Sequence, residues 1–292
     1  MNLIIGSHVG FNAKTQLLGS VEEALSYNAN TFMIYTGSTQ STLRSKIDPL
    51  ITEKAWKLME ENNIKKEDVI VHAPYIINLG NREDEEKYMF YVNFFAQELQ
   101  RVKELGLDKI VLHPGSAVRC SREDAVKNIS DGLNMVLDKA SETTILLEYM
   151  AGKGNEVGIS IDELKSIYDL VNDKDRVCFC LDTCHMNDSG IDINKIDEFL
   201  DEFDSKLGLD KIKCVHMNDS VNVVGSHKDR HANFGYGTIG FDTLLNVIYN
   251  ERLNVPFILE SPYVNRNQSN EYAPYKYEIE NIRNKKFIDF IQ

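Results

Sequence analysis

The feature that most constrains the fold of this chain is an alternation of short apolar runs with helical stretches, repeated eight times. We predict strands over residues 3–9, 31–36, 69–72, 109–113, 144–148, 177–182, 212–216 and 256–260. These runs are continuously apolar, which is typical of parallel strands covered by helices. Eight strand–helix units in 292 residues predict an α/β fold, a TIM (β/α)₈ barrel. A doubly wound sheet would need a Gly-rich phosphate loop after the first strand, which the segment GSHVGFNAK does not supply.

The predicted helices are bounded by recognisable start and stop residues. We predict helices over residues 17–27, 52–61, 83–105, 159–171, 194–207, 241–251 and 275–291, and one that begins after Ser121. Ser121 and Ser160 each precede an acidic residue at the spacing of a capping box. Gly106 has the position of a C-terminal cap. No Gly/Ser-rich or Pro-rich linker interrupts the series, so we predict a single domain over residues 1–292.

Composition excludes several classes of protein. No apolar run approaches the roughly 18–20 residues of a membrane-spanning helix, and the segment MNLIIGSHVG lacks the features of a signal peptide. The five cysteines lie mostly inside predicted strands, so we expect reduced thiols and a cytoplasmic protein. The formal net charge of −13 is unfavourable for nucleic-acid binding unless bound cations or segregated charge offset it.

Side chains that can bind metal ions stand at the ends of six predicted strands. The clearest case is VCFCLDTCHMNDS at residues 177–189, in which a buried strand ends at Asp182 and His185 follows three residues later. Alone, Asp182 is explained equally well as a metal ligand or as the N-cap of the next helix. The complete set is His72, His113, Glu148, Asp182, His185, His216, Asp229, His231 and Glu260.

The C-terminal ends of parallel barrel strands meet at one rim, so we expect these nine side chains to share one site. For a single strand-end histidine, a structural hydrogen-bonding role is as good an explanation as metal binding. Five histidines and four carboxylates together offer the nitrogen and oxygen ligands that zinc prefers, and zinc takes about four ligands. Nine such residues exceed the needs of one ion. The sequence therefore predicts a cluster of two or three metal ions at the C-terminal rim.

The segments that carry these residues resemble the signature segments of the endonuclease IV family, the apurinic/apyrimidinic (AP) endonucleases of bacterial DNA repair. They are VHAPYIINLG, LHPGS, LDTCH, VHMNDS, KDRHANFGYGTIG and ILESPY, and the similarity runs from residue 2 to about residue 283. The resemblance implies a TIM barrel that holds three zinc ions. The implied ligands are His72, His113 and Glu148 for the first zinc, Glu148 as a bridge with Asp182, His216 and Glu260 for the second, and His185, Asp229 and His231 for the third.

The implied reaction is hydrolysis of the phosphodiester on the 5′ side of an abasic nucleotide in duplex DNA, which leaves a 3′-hydroxyl and a 5′-deoxyribose phosphate. The trimming of 3′-blocked ends is the same displacement with a different leaving group. Glu148 and Glu260 would be catalytic through the metal ions, since zinc makes water nucleophilic at neutral pH and no side chain need attack. We predict no obligate protein partner and a monomer.

Four residues are predicted to contact DNA. Tyr75 occupies a position whose side chain, in the family, enters the DNA stack at the lesion, although it could simply pack over the barrel mouth. The loop TGSTQSTLR differs from the family pattern, in which an arginine reaches the minor groove of DNA. By the resemblance Gln40 stands in place of that arginine, or a one-residue shift of the loop brings Arg44 into its role. Arg230 lies in a predicted rim loop, as do Lys46, Lys153 and Lys228, and each is also explained as a solvated surface charge.

Two other functions fit part of the pattern. A one-metal sugar isomerase or epimerase of the xylose-isomerase-like class would need only a Glu–Asp–His–Glu set, which Glu148, Asp182, His216 and Glu260 supply. The five remaining candidate ligands would then have no role. A protein that binds damaged DNA without cleaving it would be expected to have lost ligands, and none is missing.

Overall fold

The computed structural model describes residues 3–140 and 142–291, in which eight parallel strands close into a barrel. The strands are β1 (Ile5–His8), β2 (Thr31–Ile34), β3 (Ile70–His72), β4 (Lys109–Leu112), β5 (Thr144–Glu148), β6 (Val177–Asp182), β7 (Ile212–His216) and β8 (Phe257–Leu259). The helices are α1 (Gln16–Ser26), α2 (Pro49–Glu61), α3 (Glu85–Glu104), α4 (Arg122–Lys139), α5 (Ile161–Asp169), α6 (Thr183–Ser189), α7 (Ile196–Lys206), α8 (Phe241–Ile248) and α9 (Tyr275–Asn284).

The barrel strands follow chain order around the closed sheet, and β8 pairs with β1 to close it. Ile5 of β1 lies opposite Phe257 of β8, and Glu148 of β5 lies opposite Cys180 of β6. Every strand therefore ends at the same rim, and the prediction of a TIM (β/α)₈ barrel is confirmed. The assignment of all 292 residues to one domain stays a prediction.

An apolar floor fills the barrel below that rim. It consists of Met33, Ile70, Val111, Leu146, Cys178, Cys180, Cys214 and Ile258, each at most 3% exposed. Seven of these floor residues are each followed, two positions later in the sequence, by a polar or aromatic residue. These seven residues are Tyr35, His72, His113, Glu148, Asp182, His216 and Glu260. Because side chains of a strand return to the same face every second residue, the polar groups continue the inward face of the floor. Strand periodicity thus places six of the nine candidate ligands in one layer at the barrel mouth.

The larger core lies between the barrel and its surrounding helices. Phe179 of β6 packs edge-to-face on Phe203 of α7 with ring centroids 5.5 Å apart, and both are fully buried. Fully buried aromatic and branched side chains of this kind surround the barrel and make the strands a rigid support for the rim. In the part of the chain that the structure describes, no helix is long and apolar enough to cross a membrane.

The predicted capping residues are confirmed. Ser121 and Ser160 cap α4 and α5, where their side chains accept hydrogen bonds from the third backbone N–H that follows. Gly106 follows α3 with a φ of +68°, and a Cβ there would lie 2.4 Å from the ring of Trp56. That ring is fixed because its Nε1–H donates to the carbonyl of Leu105 at 2.8 Å. Only glycine fits this close approach in the left-handed region.

Three helix boundaries differ from the sequence prediction by three residues or more, and one of them is the end of α8, at Ile248 instead of residue 251. Helix α2 begins three residues earlier, at Pro49, because Asp48 caps it by accepting from the N–H of Leu50. Helix α9 ends at Asn284, so the prediction of a helix as far as residue 291 is wrong. Lys285 takes a φ of +51°, and the chain then turns back, with the side-chain amide of Asn281 donating to the carbonyl of Ile288.

Candidate metal centre

A cavity of about 440 Å³ opens at the C-terminal rim of the barrel. Seven of the nine predicted ligands line it, while Asp182 and His216 lie beneath them with 0% exposure. The structure therefore brings all nine predicted residues to one site. The cavity is also lined by Tyr75, Asn78, Lys153 and Glu156.

Glu148 lies at the centre of this site, and its carboxylate meets four histidine rings. Its Oε2 is 3.2 Å from Nε2 of His72 and 3.0 Å from Nε2 of His113. Its Oε1 is 3.0 Å from Nδ1 of His216 and 3.3 Å from Nδ1 of His185. A carboxylate with a separate group of nitrogens at each oxygen has the geometry required to bridge two cations.

The two oxygens of Asp182 have different partners. Oδ1 accepts from the backbone N–H of His185 at 2.8 Å and caps helix α6, whereas Oδ2 lies 3.8 Å from Nδ1 of His216. The same His216 nitrogen is 3.3 Å from Oε2 of Glu260. Asp182 therefore combines the two roles that the sequence left open, helix cap and candidate ligand.

A third group lies on the far side of Asp182. Asp229 Oδ1 is 3.2 Å from Nε2 of His185 and 3.5 Å from Nε2 of His231. The same His231 nitrogen lies 3.7 Å from Oδ2 of Asp182, so this group adjoins the one around His216. Nε2 of His231 is buried and has no hydrogen-bond partner among the described residues, as expected for a nitrogen that binds a metal ion.

Backbone carbonyls fix the orientation of three of the histidines. Nδ1 of His72 lies 2.8 Å from the carbonyl of Ala73, and Nδ1 of His185 lies 3.0 Å from that of Tyr149. Nδ1 of His231 is 3.3 Å from the carbonyl of Glu260. When Nδ1–H donates to a carbonyl, Nε2 keeps its lone pair and can bind a metal ion.

The donor set fits divalent zinc. Ligands about 2.0–2.1 Å from one tetrahedral ion lie about 3.3 Å from each other, which matches the nitrogen–oxygen separations around Glu148 and Asp229. Four carboxylates converge here, and the only lysine or arginine among the described lining residues is Lys153. Bound cations would supply the missing positive charge.

Charges within the site favour ionised carboxylates. Burial alone would raise the pKa of Glu148, but the facing His113 and His216 outweigh it and hold that pKa well below its ordinary value. Burial would likewise raise the pKa of Asp229, yet the hydrogen bond and charge of His185 lower it to about 2. Both carboxylates are therefore negatively charged near neutral pH and attract a cation.

Three buried residues that support the site were not singled out from the sequence. Asn218 donates from Nδ2 to Oδ2 of Asp182 at 2.7 Å and to Oε2 of Glu260 at 3.2 Å, which holds these carboxylates side by side. Asp188 and Asp219 accept backbone N–H groups from the loops that carry or follow His231. The only available signal was their place in or near the segments LDTCHMNDS and VHMNDS, because burial of a polar residue is not visible in sequence.

Tyr75 lies at the mouth of the cavity. Its side chain is 55% exposed, and its ring centroid is 5.1 Å from that of His113. Its hydroxyl accepts a hydrogen bond from the hydroxyl of Tyr35 at 2.5 Å, which anchors the ring from below. An exposed, anchored aromatic beside the candidate ligands can contact a bound molecule. Gln40 and Arg230 are exposed, as are Lys46, Lys153 and Lys228.

The prediction that Arg44 could face DNA is not supported by its surroundings. Its side chain is only 8% exposed, and Nε donates to Oε1 of the fully buried Glu98 at 2.7 Å. The guanidinium also donates to the carbonyl of Ser41 and lies 5.0 Å above the ring of Phe94. A buried glutamate needs a cationic partner, so Arg44 is directed inward to the fold.

Comparison with known proteins defines the class first. A family model described as a xylose isomerase-like TIM barrel matches residues 21–285. A solved structure of a D-tagatose 3-epimerase-like protein superposes with a TM-score of 0.68 over 96% of both chains at 20% identity, which is a likeness of fold alone. The chain is thus a barrel of the xylose isomerase-like class.

Closer relatives define the family. A curated "probable endonuclease 4" of Acholeplasma laidlawii is 50% identical over 289 residues, covering 98% of this chain and 96% of that protein. The crystal structure of endonuclease IV from Thermus thermophilus superposes with a TM-score of 0.80 at 30% identity, covering 96% of this chain and 97% of that one. The chain belongs to the endonuclease IV family, as its motifs predicted.

Proposed function

We propose that this protein cleaves duplex DNA at abasic sites, hydrolysing the phosphodiester 5′ to the lesion and leaving a 3′-hydroxyl and a 5′-deoxyribose phosphate. The single observation that carries the proposal is the convergence of the Glu148 carboxylate with nitrogens of His72, His113 and His216 at 3.0–3.2 Å, within a set of nine candidate ligands. Family membership supports the same function.

Three zinc ions are the cofactors in this proposal. The first is held by His72, His113 and Glu148, the second by Glu148, Asp182, His216 and Glu260, and the third by His185, Asp229 and His231. When bound, zinc supplies Lewis acidity toward the phosphate oxygens and makes water nucleophilic at neutral pH. Six added positive charges at the rim also reduce the repulsion between DNA and a chain of net charge −13.

The protein's own residues perform the remaining tasks. Glu148 spans the first two ligand groups and fixes their separation, and Glu260 closes the second group beside it. Asn218 prevents Asp182 and Glu260 from moving apart, because it donates a hydrogen bond to each. This rigidity matters, since a preformed site need not reorganise as charge develops on the phosphate.

The side chains proposed to contact DNA are exposed to solvent. Tyr75 supplies an aromatic face where a displaced nucleotide would otherwise stack. Gln40 and Arg230 lie on exposed loops and contact the DNA backbone or groove. The same centre accepts 3′-blocked ends, because trimming them is the same displacement. We propose that the protein acts as a monomer without an obligate protein partner.

The proposal is tested with purified protein and a labelled duplex that contains one tetrahydrofuran abasic-site analogue, without added Mg²⁺. We expect a single nick on the 5′ side of the analogue, with a 3′-hydroxyl that a DNA polymerase can extend. An otherwise identical duplex with an intact nucleotide is the control and should not be cut. An uncut abasic duplex, with protein whose metal content is intact, would reject the proposal.

The same preparation tests the sugar epimerase alternative. The xylose isomerase-like class includes epimerase-like proteins, and the fold is shared with them. A one-metal epimerase leaves His72, His113, His185, Asp229 and His231 without a role, although the structure brings all five to the cavity. Conversion of a ketose to its epimer, without DNA cleavage, would favour that alternative.

A further inference from the structure

Two neighbouring strands of the barrel, β1 and β2, bring no candidate metal ligand to the rim. Gly6 of β1 lies opposite the floor residue Ile258. His8, two positions later, therefore belongs to the rim layer, as Tyr35 of β2 does. The rings of His8 and Tyr35 pack edge-to-face with centroids 5.0 Å apart. This sector of the rim thus holds aromatic side chains for a purpose other than the nine-residue metal centre.

Tyr35 reaches from this sector to Tyr75 at the cavity mouth. Its hydroxyl donates to that of Tyr75 at 2.5 Å, and the two ring centroids are 5.6 Å apart. Within the described part of the chain, this is the only hydrogen bond that either hydroxyl makes. Tyr35 is 8% exposed, so its hydroxyl needs a protein partner, whereas a phenylalanine would fill the same space without one. The pairing indicates that the hydroxyl of Tyr35 serves to hold Tyr75.

The backbone at Tyr75 is fixed by other contacts. The N–H of Ile77 donates to the carbonyl of Pro74 at 3.1 Å, which closes a turn with Tyr75 inside it. The rotation of the Tyr75 side chain remains to be set, since more than half of that side chain is exposed. Its ring meets that of His113 on the protein side, and the hydroxyl of Tyr35 fixes its outer end.

We infer that Tyr35 is a positioning residue for the DNA substrate, which holds Tyr75 in its DNA-facing orientation before the duplex arrives. This inference rests on the proposed function, in which Tyr75 offers an aromatic face beside the displaced nucleotide. A side chain that rotates freely loses that freedom on binding, which weakens the complex. Tyr35 removes this cost, because it orders the ring of Tyr75 in the free protein while itself lying below the surface.

The test is the affinity of the zinc-loaded protein for a duplex with one tetrahydrofuran analogue and a non-hydrolysable linkage on its 5′ side. Tyr35→Phe keeps the ring and deletes the hydroxyl. We expect its Kd, measured by fluorescence anisotropy, to rise about two- to tenfold. On the cleavable duplex KM should rise while kcat stays constant, because the hydroxyl acts on binding and not on the chemical step. The zinc content should not change.

Tyr88→Phe is the matched control. Tyr88 of α3 is fully buried, its hydroxyl donates to the carbonyl of Asn128, and it lies outside the cavity lining. Its loss should lower the free energy of unfolding and leave Kd unchanged. Tyr75→Phe deletes the other hydroxyl of the pair. Since one hydrogen bond is lost in either case, the Tyr35→Phe, Tyr75→Phe double variant should bind DNA about as weakly as Tyr35→Phe alone.

A second measurement needs no DNA. In protein labelled with 3-fluorotyrosine, the fluorine NMR signal of Tyr75 is assigned by its absence from Tyr75→Phe. We expect its chemical shift in the parent to differ from that of the free amino acid, and to move toward it in Tyr35→Phe. If Tyr35→Phe does not fold, the parent decides, because a shift equal to that of the free amino acid would reject a fixed ring.

An unchanged Kd in Tyr35→Phe, an equal loss in Tyr88→Phe, or additive losses in the double variant would overturn the inference. The two proposals fail in different ways. A Tyr75 ring that is ordered in the parent and loosened in Tyr35→Phe, without abasic-site cleavage, would reject the proposed function alone. Cleavage by the parent, with the same Kd and the same fluorine signal in Tyr35→Phe, would reject the positioning role alone.

Discussion

The buried carboxylate of Asp188 accepts a hydrogen bond from the backbone N–H of Asp229 at 2.9 Å, which ties helix α6 to the loop that carries two candidate zinc ligands. The same carboxylate accepts from the hydroxyl of Ser220 at 2.7 Å and from the amide of Asn222 at 3.0 Å. One side chain therefore holds both ends of the loop over residues 220–229. The third ligand group depends on this loop being fixed.

Replacing Asp188 with asparagine should loosen the third metal site. In Asp188→Asn, an NH₂ group replaces one acceptor oxygen and faces a donor, and a buried donor left unpaired costs about 1–3 kcal/mol. We expect elemental analysis to give two zinc ions per chain instead of three. Asp175→Asn is the control, because that side chain is fully exposed and should leave the zinc content unchanged. Three zinc ions retained in Asp188→Asn would contradict the supporting role.

Replacing Glu148 with glutamine should almost abolish cleavage. A neutral amide cannot neutralise two cations at once, and metal ions contribute several kcal/mol to the transition state, so we expect kcat to fall at least about a thousandfold. The fold should persist because the barrel core consists of other residues. Glu156→Gln is the matched control, since Glu156 lines the same cavity but is not among the four carboxylates that meet the histidines. Steady-state kinetics on the abasic duplex measure the effect, and a loss below about tenfold would exclude a bridging role.

Replacing Gln40 with arginine should strengthen DNA binding without changing the chemical step. Gln40 is exposed and neutral in a chain of net charge −13. If the new cation meets a phosphate, the salt dependence of Kd should steepen by up to about one unit of log–log slope. Fluorescence anisotropy at several salt concentrations measures this slope, and single-turnover cleavage at saturating enzyme should stay constant. Parallel salt plots with equal affinity would show that Gln40 does not face DNA.

Arg44→Gln provides the contrasting control for that experiment. Because Arg44 is paired with the fully buried Glu98, its loss should lower the free energy of unfolding by about 3 kcal/mol and leave the salt slope of DNA binding unchanged. Lys57→Gln removes an exposed ion pair with Glu61 and should cost less than about 1 kcal/mol. Urea denaturation measures both. A stable Arg44→Gln with a shallower salt slope would instead assign Arg44 to the DNA interface.

Glu278 should make stability depend on pH. This residue of α9 is buried, and burial raises its pKa from 4.5 to about 7, although the N–H of Phe234 donates to it at 2.9 Å. Below about pH 4.5 the carboxyl is protonated in both the folded and the unfolded chain and contributes nothing. As the pH rises toward 7, only the unfolded chain releases the proton, which destabilises the fold by an amount on the order of a few kcal/mol.

Glu278→Gln removes that ionisation and should therefore raise the free energy of unfolding at pH 8 more than at pH 5. Urea denaturation of both proteins at the two pH values measures the difference. Glu280→Gln, two residues further along the same helix and exposed, should show no such dependence. An equal effect of Glu278→Gln at pH 5 and pH 8 would contradict the burial argument.

The sequence was sufficient to predict the barrel and the convergence of its rim residues. Continuous apolar runs set the number of strands, and the period of two along each strand places Glu148 and His216 on the inward face. Chain order then brings the strand ends together, because the connections in such a barrel link neighbouring strands. Six of the nine candidate ligands follow from this reasoning, whereas His185, Asp229 and His231 lie beyond the strand ends and were predicted from the segments LDTCH and KDRHANFGYG.

Three features that could not be predicted from the sequence depend on tertiary contacts. The inward direction of Arg44 depends on Glu98, which is 54 residues away in sequence and carries no signal of its own burial. The C-terminal turn after α9 depends on hydrogen bonds such as that from Asn281 to Ile288, which compete with the helix. Asn218 was visible only as one polar residue among several after β7. Its two carboxylate partners lie 36 and 42 residues from it along the chain.

The zinc content of the purified protein tests the central claim most directly. Elemental analysis of a preparation isolated without chelators, normalised to protein by amino-acid analysis, counts the ions that the nine side chains hold. We expect three zinc ions per chain, with loss of abasic-site cleavage on chelation and recovery when zinc is restored. A single metal ion per chain in fully active protein would contradict the trinuclear centre.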